Sequence, residues 1–311
     1  MTDLPVIFGV LDALPINEAA ILSITDSNGP LPEDPTPAWN AATNYTVGTE
    51  AHRTTTHQVY SRVVAGVSAT LPENDPTNWK AMRTTNRAAA FDVYRSTKTV
   101  GMGELTITLR FTGILTALWL GGLQATEVRV KVQDGVGGPE VMPETSFYLA
   151  GYGRYDWQTF FLAPVRVQES LYLGEIPICA DPVVTIKLSQ LGGSPAIGMV
   201  QAGQFIGLGA TQYDADIGRI RYSTIRTEAD GTQTFVPRAS AGDVNVRVLI
   251  PDEKAAEVDY LLSKYDAVPT LWVGHTDNKY GVLNKFGLFE GRLRFSYYGV
   301  CELTGTITGM I

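Results

Sequence analysis

Positive charge is scarce in this sequence. No Lys or Arg precedes Arg53, and the 311 residues hold 24 of them against 32 Asp and Glu, a formal net charge of −8. Binding along a phosphate backbone needs clustered cations, so an extended nucleic-acid surface is excluded. Cysteine is nearly absent as well. Cys179 and Cys301 are the only two; they lie far apart in strand-like surroundings and read as small buried hydrophobes rather than a disulfide. The three histidines are too few and too dispersed for a metal centre. His52 and His57 would point to opposite faces of a strand, no cysteine accompanies them, and zinc needs four clustered ligands. His275 stands in a Gly/Asp turn and is expected to be solvated. No apolar run approaches the ~20 residues of a membrane span. The start MTDLPVIFGVLDALP lacks the basic residues and apolar core of a secretion signal. The expectation is a chain assembled in a cytoplasm, without a membrane span.

Catalytic motifs are missing too. There is no G-x-S-x-G elbow. The glycine-rich stretches GVGG (135–138) and GLG (207–209) do not sit between a strand and a helix, so they lack the helix N-terminus that makes such loops bind phosphate. They read as turns and bulges. Asp214 and Asp216 in YDADIG could form an acid/base pair for glycoside hydrolysis, although Asp-rich turns are far commoner. Asp156 beside Trp157 could cradle a sugar, the blander reading being a strand-edge turn. No catalytic, metal or cofactor-binding residue is assigned, no cofactor is expected, and the chain is read as not an enzyme.

What the sequence does have is globular composition, 44% hydrophobic and 18% charged, at a length suggesting two or three domains. Residues 1–37 form an N-terminal segment and linker. They contain VIFGVLDAL, a short helix predicted over NEAAIL, and GPLPEDPTP, whose four prolines in nine residues oppose regular hydrogen bonding. Residues 38–82 form a small unit rich in aromatics. Over 83–212 the pattern becomes alternation: LTITLRF, VRVKV and VVTIKL each place apolar residues at every second position. That period predicts antiparallel strands with one buried face, arranged as a β-sandwich of the jelly-roll type. Residues 213–311 predict an α+β domain. Its hairpin turns at Asp230-Gly231, and its one main helix is capped by Asp252, with Val258, Leu261, Leu262 and Tyr265 on one face. The fold class is therefore mainly β.

In the aromatic unit Ala38-Trp39 is followed by Tyr45 with Gly48, by Tyr60 in HQVYSRVV, and by Pro76 with Trp79. On these residues the unit resembles the small chitin-binding modules carried by chitinases and phage tail proteins. The resemblance implies that Trp39, Tyr45, Tyr60 and Trp79 largely build a tiny core. It also implies a separate exposed aromatic pair soon after the second Tyr as the sugar platform. This chain has Val63 and Val64 there, and valine offers no plane for stacking. A second likeness runs through NRAAAFDVYRSTKT, LTALWLGGLQATEVRVKV, ADPVVTIKL, AIGMVQAGQFIGLGATQYDADIGRIRYS and PTLWVGH. In that order these elements resemble a family of tail-tip or baseplate proteins of long-tailed bacteriophages.

The resemblance implies a structural virion component, present in several copies around the tail axis and linking tube or hub to peripheral fibres. Its expected partners are other tail proteins and copies of itself. ILTALWLGGL and FIGLGATQY hold more apolar side chains than one sheet face requires, so they either face a neighbouring subunit or are buried on both sides. The alternative function is recognition of a host-surface glycan, with Trp39, Tyr45, Tyr60, Trp79 and Trp157 as candidate ring contacts. The third is glycoside hydrolysis.

Overall fold

The alternation read in the sequence sets the first layer. In a computed structural model describing residues 8–149, 156–162, 168–227, 230–238 and 240–310, strands hold 50% of the chain and helices 10%, so the fold is mainly β. Leu105, Ile107 and Leu109 of the strand Glu104–Arg110 are fully buried, as are Val128, Val130 and Val132 of Glu127–Asp134 and Val184, Ile186 and Leu188 of Pro182–Ser189. The three pair antiparallel, in register, within a six-stranded sheet. Ile21–Asp26 extends that sheet along Glu104–Arg110. This corrects the helix expected over NEAAIL. The side chain and carbonyl of Asn17 both accept from the Ala20 amide (3.1 and 2.9 Å), which turns the chain and lets Ile24 enter the core as a strand residue.

A second layer covers this face. Leu118 and Leu120 of Ala117–Gly121, Leu171 of Ser170–Leu173, and Val200 and Ala202 of Met199–Thr211 pack into the same cluster. The opposite side of Ala117–Gly121 is buried as well, where Trp119 stacks on Phe286 with ring centroids 6.4 Å apart beside Leu11, Tyr172 and Leu271. Apart from the half-exposed Ile114, the apolar side chains of ILTALWLGGL are therefore buried inside the chain, on both sides of the strand.

Met199–Thr211 is 13 residues long and joins this body to a second one. Its first part pairs with Ala117–Gly121 and its later part with Phe8–Ala13. At its end Ala210 and Thr211 pair with Leu249 and Val248 of Ser240–Pro251. Phe8–Ala13 also pairs with Thr270–Val273, that strand with Lys285–Tyr297, that with Val300–Gly309, and that with Ser240–Pro251. The six strands thus close into a ring, which leaves no free edge among them. Residue 8 comes from the N-terminal segment and residue 199 from the middle stretch, so the ring draws on three of the four stretches distinguished in the sequence.

Two devices bend the long strand enough to close. A bulge between the pairs Phe8–Gly209 and Gly9–Gly207 inserts Leu208, and bulges sharpen local bending and twist. Gly209 then lies against the partner strand, where a Cβ would overlap the Leu249 carbonyl oxygen. Inside, Val244, Val246, Val248 and Ile250 face Leu303, Ile307 and Trp272. The Trp272 ring lies 4.5 Å from Phe289 and 6.1 Å from Phe8. The helix Ala255–Lys264 adds Val258, Leu261 and Tyr265 to this core, while Leu262 is only half-buried. Its predicted cap is displaced. Asp252 opens a 3-10 turn, Asp252–Lys254, and the helix begins after it without a side-chain cap. Cys301 is buried in the ring, whereas Cys179 is only half-buried and so departs from its expected burial; both are free thiols.

Because Gly209 permits the closing contact, Gly209→Val is expected to destabilise the chain by about 3 kcal/mol, the upper range for forcing bulk into a packed site. Urea unfolding followed by tryptophan fluorescence measures it. An unchanged midpoint would show that the ring closes without this glycine.

Candidate functional surfaces

The aromatic module is a three-stranded sheet of Glu50–Arg53, Gln58–Arg62 and Trp79–Thr84. With so few residues, a core has to come from large rings. Trp79 is 2% exposed, Tyr45 4% and Tyr60 6%, and they cluster around Ala51. The Tyr45 ring meets Trp79 edge-on at 4.9 Å. The Tyr45 hydroxyl accepts from the Asn40 amide at 2.8 Å, and that of Tyr60 lies 3.3 Å from the Thr56 hydroxyl. Trp39 packs half-buried at the margin with the Arg53 guanidinium 5.2 Å over its ring. Arg62, itself buried, covers Trp79 at 4.9 Å. Three of the rings are thus enclosed and the fourth is stacked under an arginine. Val63 and Val64, at the positions where the chitin-binding modules carry their platform, are about half exposed.

Trp157 is different. It opens the short helix Trp157–Leu162 and is 76% exposed; the expected strand-edge turn around Asp156 and Trp157 is replaced by this helix. The module's rings and Trp157 are not gathered on one strand or in one cluster.

A charged junction fixes the module to the body, and the sequence reading missed it because its members are distant in the chain. Asp34, whose side chain is fully enclosed, accepts two bonds from Arg83 (2.7 and 3.0 Å), others from Thr36, and one from the Asn86 amide at 3.0 Å. Burial by itself would raise its pKa; the Arg83 guanidinium and these donors outweigh that and hold it at about 2. His57, in a left-handed backbone conformation at φ 50°, lies 2.7 Å from Glu33 and 2.9 Å from Glu18. Arg87 pairs with Glu18 at 3.0 Å, and its amide donates to the Glu33 carbonyl at 3.0 Å.

The expected carboxylate pair lies in a surface cleft of about 370 Å³ lined by Asp214, Asp216, Asn245, Arg247, Thr304 and Thr306. Asp214 forms an ion pair with Arg247 at 2.9 Å, and Asp216 accepts from Asn245 at 2.6 Å. Arg247 is shared with Glu302 at 2.8 Å. Both aspartates are exposed and occupied by neighbours. GVGG is the turn between Glu127–Asp134 and Glu140–Tyr148, and GLG carries the ring's bulge. His275 is half-buried, its Nδ1 accepting from the Asp277 amide at 2.9 Å.

The remaining surface feature is a projecting ribbon. Thr224–Thr227 pairs with Gln233–Val236, and every residue of both strands is exposed. The Asp230-Gly231 turn expected there is present, with Gly231 at φ 85° and the Thr232 amide bonded to Asp230 at 2.9 Å.

The junction makes a pH-dependent contribution whose sign follows from Asp34. Its folded-state pKa of about 2 lies below the unfolded value of ~3.9. Its stabilisation is present above the unfolded value and is lost as pH falls through the folded one. Asp34→Asn is expected to be less stable at neutral pH and to lose less stability on acidification from pH ~4 to ~2. Thermal unfolding across that range checks it, and parallel curves for the two proteins would refute the assignment. No protein-family model matches the chain, and neither does any curated protein.

Proposed function

We propose that this chain is a structural component of a bacteriophage tail tip or baseplate, assembled with copies of itself and other tail proteins around the tail axis. In this reading the ring and the two-layered body, a jelly-roll-like sandwich, contact tube or hub. The aromatic module is carried outward as an adaptor towards peripheral fibres. It places the chain in the virion after assembly in the host cytoplasm and assigns it no catalysis. The observation that carries it is the inward placement of Tyr45, Tyr60 and Trp79. A module whose rings are spent on its own core has little flat surface for stacking sugars, so its use is as a rigid connector. The charged junction supports this, since a projecting arm that transmits position needs a fixed joint.

A second reading, recognition of a host-surface glycan, is favoured by Trp157 alone, whose ring is 76% exposed. One experiment separates the two. The full chain is passed over chitin and host-polysaccharide resins and, in parallel, co-expressed with the remaining tail proteins and isolated by affinity tag. Co-isolation with tail proteins and no retention on the resins is the expected result. Retention on a resin that Trp157→Ala abolishes, without tail proteins in the eluate, would transfer the function to the second reading.

A further inference from the structure

The ribbon formed by Thr224–Thr227 and Gln233–Val236 contributes nothing to the chain's own cores: none of its residues belongs to any of the buried clusters. An isolated two-stranded hairpin is marginal in water. This one nevertheless presents Ile225 and Phe235 directly opposite each other on one face, 54% and 62% exposed. Tyr222 and Val236 add further exposed apolar surface. Arg221 and Arg238 stand at the ribbon's base and Arg226 on the face opposite to Ile225, all exposed and with guanidinium groups that form no ion pair among the described residues, while Asp230 puts a carboxylate at the tip. In a chain with net charge −8, unpaired arginines beside an apolar pair are the composition of an interface, where aromatics and arginine supply most of the energy.

The complementary surface is on the same chain. The outer side of the helix Ala255–Lys264 and of the turn before it carries Asp252, Glu253, Glu257 and Asp259, all exposed and without an ion-pair partner among the described residues. Tyr260, 67% exposed, stands among them. Lys264 does not offset these charges, because it is bound to Asp12 at 2.9 Å. The base of the ribbon is thus cationic beside an apolar pair, and the helix face is anionic with an aromatic centre.

Their points of attachment lie far apart within one chain. The ribbon is attached at the start of Ser240–Pro251 and the helix at its end, and twelve strand residues separate the two points by about 36 Å. Complementary patches at opposite ends produce head-to-tail association, which closes into rings or runs on as a filament. We infer that the ribbon of one copy docks on the acidic helix face of the next, with Ile225 and Phe235 against Tyr260 and Arg221 and Arg238 at the ribbon's base against the carboxylates. This deepens the assembly reading above and rests on it, naming the surface through which copies meet.

The test uses charge reversal at exposed positions, which leaves the cores untouched. Four proteins are compared by sedimentation velocity at low and high salt: the native chain, R221E/R238E, E253K/E257K, and a chain with all four changes. Circular dichroism confirms that each is folded. The native chain is expected to self-associate, and more weakly at high salt, since exposed pairs are screened. Each double variant should associate about a hundredfold more weakly, because like charges then oppose. The fourfold variant, and an equimolar mixture of the two double variants, should recover association because opposite charges face each other again. Association of the native chain unaltered by either double variant would overturn the ribbon–helix contact while leaving assembly through another surface intact. A native chain that stays monomeric would overturn the contact as well, and co-isolation with tail proteins would still decide the wider reading. Association that falls in both variants without recovery in the fourfold protein or the mixture would also overturn the pairing.

Discussion

Everything in the C-terminal half depends on two backbone pairs, Ala210 with Leu249 and Thr211 with Val248. Without them the ring strands would form an open sheet, with Val244, Val246 and Val248 exposed along one side and an unpaired edge along the second half of Ser240–Pro251, whose first half pairs with Asp216–Arg221. Closure converts a row of valines into an enclosed core and removes the edge in the same step. The contact is short and bought by backbone features alone: a bulge at Leu208 and a glycine at 209. The same strand lines the two-layered body through Val200 and Ala202. The two halves therefore share one covalent beam, and any shift in its register would disturb both cores.

That arrangement explains which parts of the fold were legible in the sequence. Alternation in LTITLRF, VRVKV and VVTIKL sits on strands with one wet and one dry face, and the period survives into the structure residue by residue. The hairpin turn at Asp230-Gly231 and the helix face of Val258, Leu261 and Tyr265 were legible for the same reason, since each is set by neighbours a few positions away. Ring closure was not. It joins residue 8 to residue 209 and residue 211 to residue 248, and no local pattern encodes such a pairing. NEAAIL failed in the opposite direction. Its helix-forming residues were overridden by the Asn17 turn and by the neighbouring strand Glu104–Arg110, which offered Ile21 and Ile24 a place in the sheet.

The surfaces divide along the same line. That the rings of the aromatic module turn inward could be argued from its size alone, since a unit of some 45 residues has no other material for a core. The charged junction could not, because Glu18, Asp34, His57, Arg83 and Arg87 are brought together only by folding; the helix carboxylates and the ribbon arginines are local runs that lie in separate parts of the chain. Charge counts over the whole chain conceal such separation: a net value of −8 averages an arginine-bearing ribbon with a carboxylate-bearing helix.

The chain enters and leaves the aromatic module through one doorway. Arg87 and Glu33 share a backbone hydrogen bond, and Arg83 grips Asp34 beside it, so the residues on either side of the insert are already neighbours. A unit held between adjacent ends can be replaced by another of different size while the parent sheet keeps its register. The body can thus serve as a fixed chassis, and descent can exchange the cargo at its flank as a cassette without retuning the frame that carries it.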